Sequence, residues 1–356
     1  MKTKAKKFFV LLLFALQYNF TFCQSEVVNF LQGGIDDGKK LFEAYLTPYG
    51  NALGSSLNAG WFNSAKVHTF PGFDITLTMS TSFIPSADKE FDINNLNLGN
   101  LTLADSALHI APTIAGKTET GPLLQYYKDF NGTNVKLAEF NTPKGTGWGL
   151  IPLPMIKASV GIVHGFEIMG RYMPTYKNKD FSIGLWGVGL KHDVLQYFPF
   201  AKRTKVLNVS VMGAYTKVKT STDIDFQWTL YQDAGIPVTY DQTFDNQELE
   251  VICQGLTANL LVSVNLPVVT IYGAAGFSSS STDIYLTGDY PVVEMNNTGA
   301  PVIIPYKDPV EISIDNYSGM QYTGGLRLKF GIATIHADYT HANYQIISGG
   351  LGICFR

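Results

Sequence analysis

The chain ends in three stretches in which apolar and polar side chains alternate residue by residue. Residues 326–330 read Leu-Arg-Leu-Lys-Phe, and after reversals near 331–332 and 341–343 two further stretches alternate in the same way. Side chains of a strand point to opposite faces in turn, so the pattern predicts strands with one apolar and one polar face. The apolar face would be buried in a soluble sandwich, whereas it would face lipid in an outer-membrane barrel.

The same alternation occurs earlier in the chain and gives ten readable strands. The first, from Phe73 to Ile84, has about the length of a tilted membrane-spanning strand, roughly 9–11 residues. One strand continues through Ile224, Phe226 and Trp228 and is too long for lipid alone, so its excess is expected above the membrane. The ten segments lie near residues 73–84, 148–162, 166–172, 186–190, 207–230, 258–264, 269–277, 326–330, 335–339 and 347–355.

Short and long connections alternate between these strands. His164–Gly165, Asn265–Pro267 and Gly331–Ile332 are tight reversals, and His164–Gly165 suits the positive φ angles of a two-residue hairpin. Short periplasmic turns and long outer loops are typical of outer-membrane barrels. Residues 85–147 alternate poorly but are expected to add an even number of strands. The sequence therefore predicts an all-β, transmembrane antiparallel barrel, with 14 strands favoured and 12 possible.

The first residues predict export. Lys2, Lys4, Lys6 and Lys7 precede a short apolar run that ends before Cys23, as in a secretory signal peptide cleaved after that cysteine. A lipoprotein signal with an acylated Cys23 is the alternative, although bulky Phe22 fits it poorly. The predicted organisation is a signal peptide at 1–23, an N-terminal helical hatch or cap at 24–65, and a barrel at 66–356. The expected location is the outer membrane of a Gram-negative bacterium.

The segment 24–65 is expected to begin with a short helix. Asp36 or Asp37 can cap it, and Pro48 is expected to end it. Glycines 50, 54 and 60 are expected to break up the stretch that follows. The segment either packs on the periplasmic rim or enters the barrel as a plug. The apolar face of the helix comprises Leu41, Phe42, Tyr45 and Leu46.

Composition agrees with a membrane barrel. Without the four leader lysines the chain has 22 basic against 29 acidic residues, a net charge of −7, which does not suggest nucleic acid as a partner. Charged residues make up only 15% of the chain, against about 25% in soluble domains. A large surface that does not meet water explains this deficit. Cys253 and Cys354 are too isolated to predict a disulfide framework or a zinc site, and are interpreted as ordinary strand residues.

No enzyme motif is present, so neither catalytic residues, a cofactor nor a metal site is predicted. The alternation instead places a set of polar residues inside the barrel. They could brace the barrel as paired charges, because buried charges are costly unless paired, or they could line a passage that recognises a carboxylate. The predicted lumen lining is Asp74, Glu167, Arg171, Lys191, Arg327, Lys329, His336 and Asp338.

Four stretches resemble a family of uncharacterised outer-membrane proteins, which is itself distantly similar to FadL-type long-chain fatty-acid transporters. They are residues 45–49 (YLTPY), 57–68 (LNAGWFNSAKVH), 72–74 (GFD) and 187–193 (GVGLKHD). The resemblance implies a fourteen-stranded barrel with an N-terminal hatch, and diffusion of hydrophobic molecules through a side opening. Asn58-Ala59 lies where the hatch of the FadL family has Asn-Pro-Ala, and the proline is missing here.

These observations lead to two main hypotheses. The first is a FadL-like barrel that passively admits hydrophobic small molecules such as a fatty acid, with a hatch pocket at Leu41, Phe42, Trp61 and Phe62. The second is a barrel that anchors secretion or surface proteins, for which exposed apolar loop tips are expected at 228–231 or 290–293. A third hypothesis is a secreted soluble β-protein. Outer-membrane lipid is the expected surrounding, and no particular protein partner is predicted.

Overall fold

The computed structural model describes residues 27–179, 181–198, 206–226 and 244–355, so the predicted leader lies outside it. Its helices are a 3-10 helix at Val28–Gly33, helix α1 at Ile35–Asn58, and short 3-10 turns at Ser86–Lys89, Ile93–Leu96, Val163–Gly165 and Leu195–Tyr197. The strands are β1 Phe73–Phe83, β2 Glu90–Asp92, β3 Leu101–Leu103, β4 Ile110–Pro112, β5 Leu123–Phe130, β6 Thr133–Asn141, β7 Leu150–Gly161, β8 Phe166–Asn178, β9 Phe181–Asp193, β10 Leu207–Asp223, β11 Glu248–Asn265, β12 Val269–Thr287, β13 Asp289–Met295, β14 Pro301–Lys307, β15 Val310–Phe330, β16 Ala333–His341 and β17 Gln345–Phe355.

Ten of these strands form a closed antiparallel barrel in the order β1, β17, β16, β15, β12, β11, β10, β9, β8 and β7. The ring closes because β1 pairs with both β17 and β7. The ten strands readable from the sequence are therefore confirmed, although the one predicted at 207–230 ends at Asp223. The predicted count of 14, or 12, is wrong. Residues 85–147 form β2 to β6, which pair only in small separate sheets. These strands do not face lipid on one side, which explains their poor alternation.

The two ends of the barrel differ in their connections. The short-turn end carries the tight connections at residues 162–165, 266–268 and 331–332 and one longer connection at 194–206. The long-loop end carries the longest connections, at residues 84–149, 224–247 and 288–309, and two short ones at 179–180 and 342–344. His164 and Gly165 have φ angles of 59° and 71°, which confirms the predicted positive-φ reversal. In outer-membrane barrels short turns are periplasmic and long loops are external, and we orient the molecule accordingly.

Apolar side chains cover the outside of the barrel between its ends. Large side chains such as Val211, Leu260, Leu326 and Ile347 are more than 40% exposed. A soluble protein would bury such a continuous band, so the outside of the barrel is suited to lipid. No helix in the described part of the chain is both long and apolar enough to cross a bilayer.

Along the long strands the apolar side chains change from the outer face to the inner face of the barrel, as β11 illustrates. Toward the short-turn end Leu256 and Leu260 point outward, and Asn259 points inward. Toward the long-loop end the outward positions include Glu250, and Val251 is buried inside. We call the charged interior near the short turns the lower lumen and the apolar interior near the long loops the upper lumen. The upper barrel thus stands in water and is built like a soluble β-protein.

Helix α1 lies inside the barrel, so the plug alternative describes the structure and the rim alternative does not. Its 24 residues span about 36 Å. The expectation that Pro48 ends the helix is wrong, because the helix continues through Pro48 to Asn58. A backbone enclosed by a barrel finds little water to bond, so continued helix is favoured. Gly54 permits close approach to β12, since a Cβ there would lie 2.3 Å from Ser280 Oγ.

The helix descends from the long-loop end, where loops hold its first turn. Gly34 is its N-cap, and neither Asp36 nor Asp37 caps it. The Asp37 carboxylate instead accepts hydrogen bonds from the backbone N–H groups of residues 99–101. Farther along the helix, beside Asn51, the Tyr344 hydroxyl donates to Asp88, and burial raises the pKa of Tyr344, which keeps it a donor. The helix entrance is therefore fixed by residues outside the barrel wall.

Candidate functional site in the barrel lumen

The upper lumen is an apolar core between α1 and the barrel wall. Leu41 and Phe42 are fully buried, and the Phe42 ring meets that of Phe30 edge to face, with 5.4 Å between centroids. Wall residues from seven barrel strands complete this cluster, including Met155 and Met173. Such dense packing holds this part of the helix mainly through apolar contacts.

Trp61 and Phe62 follow the helix and belong to a separate apolar cluster in the lower lumen. Phe62 packs edge to face on Tyr272, with 6.0 Å between ring centroids. The structure therefore does not bring the four predicted hatch-pocket residues together. The sequence predicts one pocket for them because Pro48 is expected to end the helix. The helix continues to Asn58 and separates Leu41 and Phe42 from Trp61 and Phe62.

The structure places the predicted polar lining residues on the inner wall, toward the short-turn end. Seven of the eight are at most 6% exposed, and Lys329 is partly exposed. They divide into small groups that bind different partners, rather than one continuous row. The buried seven are Asp74, Glu167, Arg171, Lys191, Arg327, His336 and Asp338.

One group joins β8, β9 and the segment between α1 and β1. Lys191 Nζ lies 3.0 Å from Glu167 Oε1. The other oxygen, Oε2, accepts from the backbone N–H of His68 at 2.9 Å and contacts its Nδ1 at 2.8 Å. This buried pair is satisfied on both sides, as a buried charge requires.

A second group joins β15 to β1. Arg327 contacts Asp74 Oδ2 and Asn63 Oδ1, both at 3.1 Å. Farther along the wall the Tyr272 hydroxyl donates to Asp338 at 2.9 Å. Neither ring nitrogen of buried His336 has a hydrogen-bond partner among the described residues. The lower lumen thus contains polar groups that the protein itself does not fully satisfy.

Arg171 binds the end of the plug helix. Its guanidinium donates to the carbonyl oxygens of Leu57, at 2.9 Å, and Ala59, and lies 3.9 Å from the centroid of a Trp61 ring. The last carbonyls of a helix lack partners within the helix, and the helix dipole favours a cation there. Arg171 is thereby the charged group that fixes the lower end of the plug.

Sequence reasoning missed Lys157, although alternation with Ile156 could have found it. This buried lysine on β7 donates to the carbonyl oxygen of Trp61 at 3.4 Å. With it, five cationic side chains face three carboxylates in the described lower lumen. His68 was also missed, and no periodic pattern could have shown it because it lies between regular elements. The lower lumen is therefore suited to an anion more than to a cation-rich ligand.

The barrel wall has a seam between β7 and β8. These strands contain 12 and 13 residues, but they pair only from Ile156, opposite Tyr172, to Gly161, opposite Glu167. Above this point Leu150–Met155 pairs with β1 alone. Residues 150–155 and 173–178 do not pair with each other, and we call this part of the wall the seam. Side chains rather than backbone hydrogen bonds close the wall there, among them buried Met155 and Met173.

Prolines explain why pairing stops. Pro152 and Pro154 on β7 and Pro174 on β8 lack the amide hydrogen that a strand donates. The N–H and C=O of a strand residue point to the same side, and the β1–β7 ladder continues past both β7 prolines. This arrangement fits prolines whose amide side faces β8, and proline is characteristic of strand edges. The seam is therefore encoded in the sequence.

A cavity of about 420 Å³ lies against β8, β9 and β10, on the side of the seam away from β7, where β8 bulges between Met173 and Tyr176. It is lined from outside by Tyr172 and Trp186 and from inside by Met173 and Leu185. Outward aromatic residues mark the level of the membrane interface. The seam begins at this level, so its unpaired backbone lies above the hydrocarbon region. Within the hydrocarbon region itself, unpaired strand edges are not tolerated.

Comparison with solved structures finds weak similarity to several outer-membrane proteins. The chain is similar to the outer membrane protease OmpT of Escherichia coli, with TM-score 0.33 and 8% identity over 82% of this chain and 99% of that chain. It is also similar to a deletion mutant of the monoaromatic hydrocarbon channel TodX, with TM-score 0.27 and 10% identity over 80% and 66%. The translocator domain of the Neisseria meningitidis autotransporter NalP gives TM-score 0.24 and 11% identity over 80% and 89%.

These scores are low, and the likeness concerns the barrel alone. No curated protein is similar enough to the chain to count as a match. A family model described as a family of unknown function, DUF6588, matches residues 1–355. The chain therefore belongs to the DUF6588 family.

Proposed function

We propose that this protein admits hydrophobic small molecules, such as a fatty acid, through the seam into the upper lumen, in the outer membrane of a Gram-negative bacterium. The observation that carries the proposal is the absence of pairing between the upper halves of β7 and β8. Every other pair of neighbouring barrel strands is paired over the length of its shorter strand, apart from local bulges, although β15 extends beyond β16 and pairs there with β12 alone. At the seam a molecule needs to displace only side chains.

The side chains at the seam favour such movement. Met155 and Met173 are unbranched and flexible, and methionine adapts readily to apolar ligands. Behind them lies the packed apolar core around α1, whose side chains would have to separate to give an apolar ligand a site away from water. Entry at the outer interface is passive, because the molecule diffuses through the seam without an energy source.

The lower lumen supports a ligand with an anionic head. Its excess of cationic groups, and the position of Arg327 and partly exposed Lys329 beside a cavity of about 390 Å³ at the short-turn end, suit a carboxylate. Onward passage to the periplasm requires α1 to shift, and Arg171 holds its lower end. The plug thus acts as the gate between an apolar entrance and a cationic exit.

The scaffold alternative receives less support. Tyr290, Val292 and Val293 are at most 2% exposed, so this predicted loop tip is not an exposed apolar surface. All three lie in the β13–β14 hairpin, and Tyr290 and Val293 belong to the apolar core of the long-loop end. The other predicted tip, 228–231, lies outside the described residues.

The test is to close the seam. A variant with Pro152→Val, Pro154→Val and Pro174→Val regains three amide donors, and β7 and β8 can then pair along their length. We expect it to lower oleate uptake several-fold in Gram-negative cells that lack their own fatty-acid channel. Pro305→Val, in the exposed part of the β14 strand, is the matched control and should leave uptake unchanged.

Surface abundance of both variants must equal that of the wild type, measured by labelling of intact cells. Equal uptake by the closed variant would contradict entry through the seam. Wild-type uptake no greater than that of cells without the protein would contradict transport itself.

A further inference from the structure

Three potential metal ligands of different chemistry converge at the short-turn end of the lumen. They are His68, from the segment between α1 and β1, Asp74 on β1 and Cys354 on β17. One ligand atom from each lies within 4.8 Å of the others, and His68 Nε2 is 3.4 Å from Cys354 Sγ. We propose that these residues form a site for a divalent transition metal of the zinc type.

The barrel itself sets this convergence. Asp74 and Cys354 are directly opposite each other in the β1–β17 ladder, and both side chains are buried on the inner face. Directly opposite residues in an antiparallel pair have Cβ atoms about 4.5–5.5 Å apart. Two ligands are therefore held in place by the strands that close the barrel, and only His68 lies outside regular structure.

The residues around the ligands are arranged as in metal sites. Glu167 contacts His68 Nδ1 at 2.8 Å, and a carboxylate can only accept, so Nδ1 carries the proton. In the neutral imidazole this leaves the Nε2 lone pair facing Cys354. Metal-bound histidines usually donate their other N–H to a carboxylate or carbonyl in this way. Asp74 is likewise positioned, by Thr76 Oγ1 at 2.5 Å and by Arg327.

The ligand set identifies the class of metal. Thiolate and imidazole select zinc-type ions, whereas calcium and magnesium prefer oxygen alone. A dication with one thiolate, one carboxylate and a neutral imidazole is electrically neutral, which suits a site where Arg327 and Lys329 are close. Three protein ligands leave a fourth position, and the cavity of about 390 Å³ that His68 and Cys354 line gives water access to it.

A metal at this position would join the plug segment to both strands of the barrel closure. His68 follows α1, and Asp74 and Cys354 belong to the first and last strands of the chain. Binding requires all three to be in place, so the metal would stabilise the closed barrel with its plug docked. The site is independent of ligand entry at the seam.

The test uses Co²⁺ as a spectroscopic probe on the full chain from residue 24, purified in detergent. We expect one Co²⁺ per chain, with a thiolate-to-cobalt charge-transfer band in the near ultraviolet. Cys354→Ser should abolish that band, and His68→Gln should weaken binding strongly. Cys253→Ala removes the other cysteine, which is buried in the upper lumen, and should leave the spectrum unchanged.

Glu167→Gln tests the positioning role and should weaken binding by about 10- to 100-fold while retaining the charge-transfer band. Each variant is compared only after its far-ultraviolet circular dichroism and heat-dependent gel mobility match the wild type. Cobalt bound without a thiolate band, or equal binding by Cys354→Ser, would overturn the proposal. If Cys354→Ser does not fold, Asp74→Asn and His68→Gln decide, because unchanged affinity in both would also overturn it.

Discussion

The upper and lower lumens surround the same helix, but different forces hold it in each. In the upper lumen Phe42 and its neighbours form a dry apolar core, while in the lower lumen Arg171 and Lys157 bind backbone carbonyl oxygens. The difference follows the solvent outside. Where the wall faces water its apolar side chains turn inward, and where it faces lipid its polar side chains do. Period-2 alternation alone therefore cannot tell inside from outside.

The largest effect is expected from removing apolar packing in the upper lumen. Phe42→Ala deletes a fully buried ring and should lower the free energy of unfolding by about 3–5 kcal/mol. Equilibrium denaturation measures this loss, and the loss should not depend on salt. Tyr306→Ala, which removes an exposed ring on β14, is the aromatic control and should stay within about 0.5 kcal/mol. Similar losses in both would mean that the upper lumen is not a packed core.

The next effect concerns the outer surface, where the same substitution should act differently at two heights. Val211→Arg places a charge in the lipid band and should cost about 2–4 kcal/mol near mid-membrane. Ile252→Arg lies higher on β11, opposite Lys219 and Asp283, and should cost little. Assembly into lipid vesicles, followed by gel mobility, compares them. Equal tolerance of both would favour a soluble barrel, and equal failure would place the membrane boundary higher.

A smaller effect is expected where the lower lumen holds the plug. Arg171→Met removes hydrogen bonds from a charged donor to Leu57 and Ala59, and should destabilise helix docking by about 1.5–3 kcal/mol. Hydrogen exchange of the last turns of α1 should rise, while the amides around Phe42 stay protected. Arg171→Lys keeps the charge but not the planar guanidinium that donates to two carbonyl oxygens at once, and should give an intermediate result. Uniform exchange along the whole helix would contradict separate anchoring of its two ends.

The sequence predicted the barrel strands well because lipid imposes a strict alternation on them. It failed for residues 85–147, whose short strands β2 to β6 pack on other loops and follow no single period. It also ended the helix too early at Pro48. Local propensity disfavours Pro48 and Gly54 in a helix, but enclosure by the wall and close contact with Ser280 outweigh it.

The site was predictable only in part, for a related reason. Alternation identified inward charges such as Asp74 and Arg327, since each sits in a regular strand. It could not identify their partners, because His68 and Asn63 come from the irregular segment after α1. The seam was readable in principle from Pro152, Pro154 and Pro174. The hairpin at His164–Gly165 predicts that β7 and β8 are neighbours, but only the structure shows that their pairing ends at Ile156 and Tyr172.

The smallest perturbation compares the two lumens through their cysteines. Cys253 is fully buried in the upper lumen, whereas Cys354 lines the cavity at the short-turn end. A small charged methanethiosulfonate reagent should therefore modify Cys354 in the folded protein and leave Cys253 unmodified, as mass spectrometry of intact chains would show. Cys354→Ser should abolish the reaction, and denaturant should expose both thiols. Equal labelling of both in the folded state would mean that water reaches the upper lumen, and the contrast between the two regions would fail.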